Sequence, residues 1–227
     1  MDILNRERLE AHYQKILEEN RETILKGGVG DDHLVHPQRD TRMALALVIR
    51  IAPPICDQIE TFLDELKRLE PELYYYPAKD LHITVMDILR GIPDRPVPDN
   101  IDNYIRCINA CAGTIPPFGI AFDGLTMSDN AVMVKGYYES ALETLRRQLR
   151  RAMREQGLLL EERYETFSAH VTAARIPGRL TSPEPFLSQI ADRRPFGEME
   201  VSSFELVFHN WYDSKKKLLA RIAAGPL

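Results

Sequence analysis

Hydrophobic positions along the chain repeat with helical spacing in some segments and with strand spacing in others. In residues 5–26, Leu9, Tyr13, Ile16 and Leu17 fall on one helical face between charged residues, and Gly27-Gly28 follow as a stop. Ile55, Ile59, Phe62, Leu63 and Leu66 predict a second amphipathic helix, opened by Pro53-Pro54 and ended by Pro71. Ile101, Tyr104, Ile105 and Ile108 mark a third helix, closed by Gly113. Leu142, Leu145, Leu149 and Met153 stripe a fourth over 142–155, ending near Gly157, and a short helix is expected around 184–192. The runs at 42–51, 73–77, 81–89, 117–127, 131–137 and 167–175 read as strands. Residues 199–211 and 216–224 are expected to form a hairpin joined through YDSK. Each half of the chain thus holds a helix followed by a strand containing histidine. The pattern predicts an N-terminal helix and linker, residues 1–39, ahead of one bilobal domain, residues 40–227, of the α+β class.

Charge narrows the possible partners. A net charge of −5 over 227 residues carries no global basic footprint for duplex DNA or an anionic membrane. The most apolar run, MALALVIRIAPPIC, is interrupted by Arg50 and two prolines, so no membrane span is expected. The opening MDILNRERLE lacks an apolar stretch, so no signal peptide is expected either. Cys56, Cys107 and Cys111 make an odd number without a C-x-x-C spacing and read as small core residues in a reducing, cytoplasmic setting.

Two strands carry the candidate chemistry. LHITVMDIL (81–89) and FSAHVTAAR (167–175) each contain His-x-Thr. Alternation on a strand points His82 and Thr84 to one face with Ile83 and Val85 behind them, and His170 and Thr172 likewise with Val171 and Ala173 behind. A lone His-x-Thr is common and usually structural. Two, each on an apolar backing, suit metal-free phosphoester chemistry. One imidazole serves as base and the other as acid, while the threonine hydroxyls donate to non-bridging phosphate oxygens. A metal site is a weaker reading, because threonine is a poor ligand and no third acidic ligand is evident.

These paired motifs resemble the 2H phosphoesterases, among them LigT-like RNA ligases, cyclic phosphodiesterases and 2′,5′-oligoadenylate phosphodiesterases. L-H-I-T-V…I-L-R-G is similar to the family's first motif. F-S-A-H-V-T-A-A-R is similar to the second, with Phe167 before the histidine and Arg175 after it, and RMALALVIRI resembles the opening strand. The resemblance covers roughly residues 40–223. It implies two pseudo-symmetric α/β lobes with antiparallel sheets around a central cleft, His82 and His170 as the acid–base pair, and Thr84 and Thr172 as phosphate binders. Ala169 stands where the family often has proline, and the N-terminal helix looks like an addition to the family core.

The expected function is a metal-independent phosphodiesterase, without cofactor, acting on a 2′,3′-cyclic phosphate or a 2′,5′-linked oligonucleotide. The alternatives are a 2′-5′ RNA ligase and a non-catalytic phosphate- or RNA-binding module. The expected partner is a nucleotide or oligonucleotide, RNA included. Arg175 is a candidate phosphate or base contact, although strict alternation turns it away from His170. Tyr74, Tyr75 and Tyr76 are candidates for a base platform, with at least one expected in the core. His209 and Trp211 share a face and either line the cleft or sit at a hairpin tip. Arg146, Arg147, Arg150, Arg151 and Arg154 read as the solvated side of their helix, with an RNA-facing patch as the alternative. His12, His33 and His36 are expected at the surface, and Lys215, Lys216 and Lys217 in a solubilising turn.

Overall fold

Nine strands and six helices follow one another in the computed structural model, which describes residues 3–225. They are α1 (Ile3–Leu25), α2 (Asp32–Val35), β1 (Arg42–Arg50), α3 (Pro53–Leu69), β2 (Tyr74–Tyr75), β3 (His82–Pro93), α4 (Ile101–Ala112), β4 (Phe118–Met127), β5 (Ala131–Tyr138), α5 (Ser140–Glu155), β6 (Val171–Arg175), α6 (Pro183–Ala191), β7 (Pro195–Val201), β8 (Ser203–His209) and β9 (Lys216–Ala223). Two antiparallel sheets result, one in the order β3-β1-β8-β9 and the other in the order β2-β6-β5-β4-β7. This is the expected two-lobed α+β architecture. The expected long strand at 199–211 is corrected. The chain leaves the second sheet at Val201, passes Ser202, and joins the first sheet at Ser203, so these residues tie the lobes together.

The first sheet is curled. Its register sets His82 opposite Arg50 and His209 opposite Ala44, six positions apart on β1, or about 20 Å along an extended strand. Their rings nevertheless lie 5.9 Å apart, centroid to centroid. The two edge strands also approach: Lys216 at the start of β9 bonds Asp80, just before β3, at 2.7 Å. Ala46, Val48 and Val207, small and fully covered, pack as a separate cluster apart from the main core. Leu45, Leu47 and Ile49, on the opposite face of β1, join that main core. The concave face is therefore a narrow bowl with a floor of small side chains.

α1 belongs to the second lobe. Leu9, Tyr13 and Ile24 are fully buried, at roughly 2 kcal/mol of burial each. Glu10 accepts from Lys135 at 3.0 Å and from the Tyr137 hydroxyl, and Thr126 donates to the Tyr13 carbonyl at 2.9 Å. Met133, Lys135 and Tyr137 share one face of β5, and Met133 pairs with Thr172. α1 thus packs on the same face of this sheet as Thr172 and walls that side of the cleft. His12 is correspondingly half-buried against Phe167, 5.3 Å between ring centroids, and is not the surface residue expected; His33 and His36 are exposed. All three cysteines are free and buried. Among the described residues no helix is long and apolar enough to cross a membrane.

Candidate active site

His82 opens β3 and is half-buried in the cleft. Its Nδ1 lies 2.8 Å from the Asp80 carbonyl oxygen. A carbonyl only accepts, so Nδ1 carries the proton and Nε2 presents a lone pair. Burial pushes the imidazole down to about 4, against the pull of the nearby Asp213 carboxylate. Thr84 lies two residues on, on the same face and also half-buried.

His170 stands just before β6, which starts only at Val171. Its Nδ1 is 2.7 Å from Ser168 Oγ. A hydroxyl can accept or donate, so Ser168 holds this ring in either protonation state. Burial, then the cations Arg175 and Arg146 and the neighbouring His82, push His170 down to about 4. Both imidazoles are therefore neutral at pH 7 in the free protein. Neither Nε2 has a hydrogen-bond partner among the described residues.

Two bulges add side chains that strict alternation points away. On β6, Thr172 pairs with Met133 and Ala174 with Val132, so Ala173 is an extra residue. Arg175, opposite Ala131, is thereby returned to the face of Thr172. Its Nε donates to the Tyr76 hydroxyl at 3.0 Å, and its guanidinium lies 5.7 Å from the Trp211 ring. On β3, Thr84 pairs with Val48 and Met86 with Leu47, so Val85 is extra and Asp87 turns to the face of Thr84. Burial raises the Asp87 carboxyl, opposed by His209. Alternation alone gave no signal for Asp87 in the cleft.

The tyrosine run divides by depth. Tyr76 is buried and Tyr74 half-buried, their rings edge to face at 5.1 Å, with Tyr74 also against Tyr212 at 5.7 Å. Trp211 is 43% exposed at the cleft rim. Lys216 does not float in a solubilising turn; it bonds Asp80 and Asp213, each at 2.7 Å.

Arg146 overturns the solvated-helix expectation most sharply. It is 1% exposed, and its donors reach Val85 O at 2.9 Å, Thr84 O at 2.9 Å, Phe167 O at 2.8 Å and Ser168 O at 2.8 Å. The first two carbonyls belong to β3 and the last two to the segment leading into His170. One guanidinium thus fastens both histidine segments. Its acceptors are carbonyls and not a carboxylate, and burial pulls it down to about 10. Arg150 is also engaged, in a bidentate pair with Glu162 at 2.7 and 2.8 Å, while Arg151 is exposed. Among the described residues, no group of three or more His, Cys, Asp or Glu side chains is placed to hold a metal ion.

Residues 55–211 match the family model of the 2′-5′ RNA ligase superfamily. The fold is similar to Escherichia coli LigT in its apo form, with a TM-score of 0.58, 15% identity, and coverage of 81% of this chain and 98% of that one. It is also similar to E. coli LigT complexed with 3′-AMP (TM-score 0.57, 15% identity, 81% and 99% covered). TT0787 of Thermus thermophilus is a third match (TM-score 0.56, 16% identity, 81% and 98% covered). No curated protein sequence matches this chain significantly.

Proposed function

Because the chain belongs to the 2′-5′ RNA ligase superfamily, and so to the 2H phosphoesterases, we propose that it hydrolyses a 2′,3′-cyclic phosphate or a 2′,5′-linked oligonucleotide without a metal ion. The observation that carries this reading is the unequal setting of the two imidazoles. Asp80 locks His82 in the tautomer with a free Nε2 lone pair, which makes it the starting base. The imidazolium it becomes keeps its Nδ1–H on that carbonyl and lies near the Asp213 carboxylate. His170 is the acid. An anionic phosphate in the cleft favours a proton on its Nε2, and Ser168 Oγ then accepts from Nδ1–H.

Thr84 and Thr172 donate to non-bridging oxygens, where charge grows in the transition state. Arg175 adds a cation on the Thr172 face, and with Tyr76 behind it and Trp211 at the rim it forms a wall suited to a base or a second phosphate. α1 narrows the cleft on the second sheet, which favours a mononucleotide or a strand end over a long duplex. The LigT structure with 3′-AMP supports a nucleotide-sized ligand for a protein of this fold.

The test is turnover of the four nucleoside 2′,3′-cyclic phosphates and a 2′,5′-linked oligoadenylate with EDTA present. Wild type runs beside His82→Ala and His170→Ala. Each substitution is expected to lower kcat by about 10²–10⁴. Folded variants that keep wild-type turnover, or activity abolished by EDTA, would sink the reading. Joining of RNA ends without cyclic-phosphate hydrolysis would move the assignment to ligation. Binding that survives both substitutions, without turnover, would move it to a binding module.

A further inference from the structure

A third imidazole shares the bowl with His82. His209, at the end of β8, is 5% exposed, and its ring meets that of His82 edge to face at 5.9 Å and 70°. Its Nδ1 lies 2.8 Å from Oδ1 of Asp213, a side chain with no exposure. Burial alone would raise the Asp213 carboxyl. Hydrogen bonds from His209 and Arg50 overcome that and hold it well below the usual carboxylate range. The carboxylate can only accept, so the His209 proton sits on Nδ1, and Nε2 carries a lone pair in the neutral ring. Among the described residues this Nε2 has no hydrogen-bond partner.

The carboxylate is fixed from several sides. Arg50 donates to Asp213 Oδ2 at 2.5 Å and Lys216 to the same oxygen at 2.7 Å. Lys216 also bonds Asp80 Oδ1 at 2.7 Å, and the carbonyl of Asp80 orients His82. One network therefore sets both rings: Nε2 of His82 is a bare acceptor, and Nε2 of His209 is one whenever that ring is neutral. A molecule that satisfies two acceptors from one atom needs two protons on that atom. Water has them; the hydroxyl of an alcohol or of an RNA end has one.

We infer that His209, oriented by Asp213, holds the attacking water together with His82 and so selects water over a hydroxyl as the nucleophile. The inference rests on the hydrolase reading above and names its nucleophile. In the step, the water oxygen forms a bond to phosphorus as the bond to the leaving ester oxygen breaks. One water proton passes to His82 Nε2, and the leaving oxygen takes the proton from His170 Nε2. The second water proton stays on the new phosphate oxygen, hydrogen-bonded to His209 Nε2, until the product ionises.

The experiment uses the full chain, the four nucleoside 2′,3′-cyclic phosphates and the 2′,5′-linked oligoadenylate, in water and with added methanol as a competing nucleophile. Free monoester and methyl diester are counted for wild type, His209→Ala and His209→Gln. His209→Ala is expected to lower kcat for hydrolysis by about 10²-fold with little change in KM, and to shift the product ratio toward the methyl ester by about tenfold. His209→Gln keeps an acceptor oxygen at a similar reach and is expected to recover part of both effects. Hydrolysis by folded His209→Ala within threefold of wild type would overturn the inference. So would an equal fall of hydrolysis and methanolysis, which is what a structural role produces. If His82 and His170 prove essential while His209 does not, this inference alone fails. If wild type turns over none of the substrates, the hydrolase reading fails and this inference with it.

Discussion

Replacing Arg146 with methionine removes the buried cation that fastens the two histidine segments and leaves an apolar side chain about as long as the arginine stem up to Nε. The magnitude is a balance. Burial costs this guanidinium heavily: its fall from 12.5 to about 10 corresponds to roughly 3 kcal/mol. Methionine recovers that. Against it stand four carbonyls, those of Thr84, Val85, Phe167 and Ser168, all within 2.9 Å of a donor. Each buried carbonyl left without a donor costs about 1–3 kcal/mol, so the four together amount to roughly 4–12. The loss of hydrogen bonds wins, by about 5 kcal/mol at the middle of these ranges, and Tm should fall by roughly 10–20 °C for a chain of this size.

Stability is only half of this prediction. The carbonyl oxygens of Thr84 and Ser168 are held by the same nitrogen of Arg146, so the guanidinium sets the spacing of the two histidine segments. A shift of about 1 Å between acid and base costs on the order of 10² in rate. Arg146→Lys tests the geometry separately. An ammonium keeps the charge, but it has three donors on one atom in place of a planar five-donor fork, so it cannot meet all four carbonyls in the geometry that fixes the two segments. The lysine variant is therefore expected to lose kcat by about 10²-fold even at a temperature where it is fully folded. Thermal unfolding by circular dichroism and turnover at 20 °C provide the readouts. A methionine variant melting within 2 °C of wild type, or a lysine variant within threefold of wild-type kcat, would refute the stapling argument.

Two further outcomes are expected. Because burial holds both His82 and His170 at about 4 in the free protein, the active form, with His82 neutral and His170 protonated, is scarce at pH 7. Lowering the pH from 8 toward 5 raises the protonated share of His170, so kcat/KM should rise over that range and fall only near pH 4, where His82 is lost as base. A maximum between pH 6 and 7, where ordinary imidazoles titrate, would contradict the burial argument. Gly136→Ala places a Cβ 2.0 Å from the carbonyl oxygen of Ala169, the residue before His170. The backbone cannot yield there without moving the second motif, so the variant should lose about 1–3 kcal/mol or more in a urea melt and lose turnover with it. Unchanged stability would show that β5 and the Ala169 segment move apart freely.

What could be read from the sequence, and what could not, follows from the range of each interaction. His82, Thr84, His170 and Thr172 are legible because a strand has period two, and pairs two apart share a face over so short a run. Arg175 and Asp87 are not, because each lies beyond an inserted residue, Ala173 or Val85, and a bulge reverses the facing of everything after it. A bulge is set by the pairing of two strands, and neither strand alone announces it. Arg146 lies four residues after Leu142 and three before Leu149, on the apolar stripe of its helix, but its charge groups it with the four other arginines there, and residue type predicts solvent. Its acceptors are backbone carbonyls 21 to 62 residues away, which no side-chain pattern records. The His209–Asp213 pair is short in sequence but becomes part of a site only because the first sheet curls until opposite corners meet. That curl also accounts for the small residues at Ala46, Val48 and Val207. Larger side chains there would fill the bowl and press His82 and His209 apart, so the apolar pattern of β1 and β8 is shaped as much by the site as by the core.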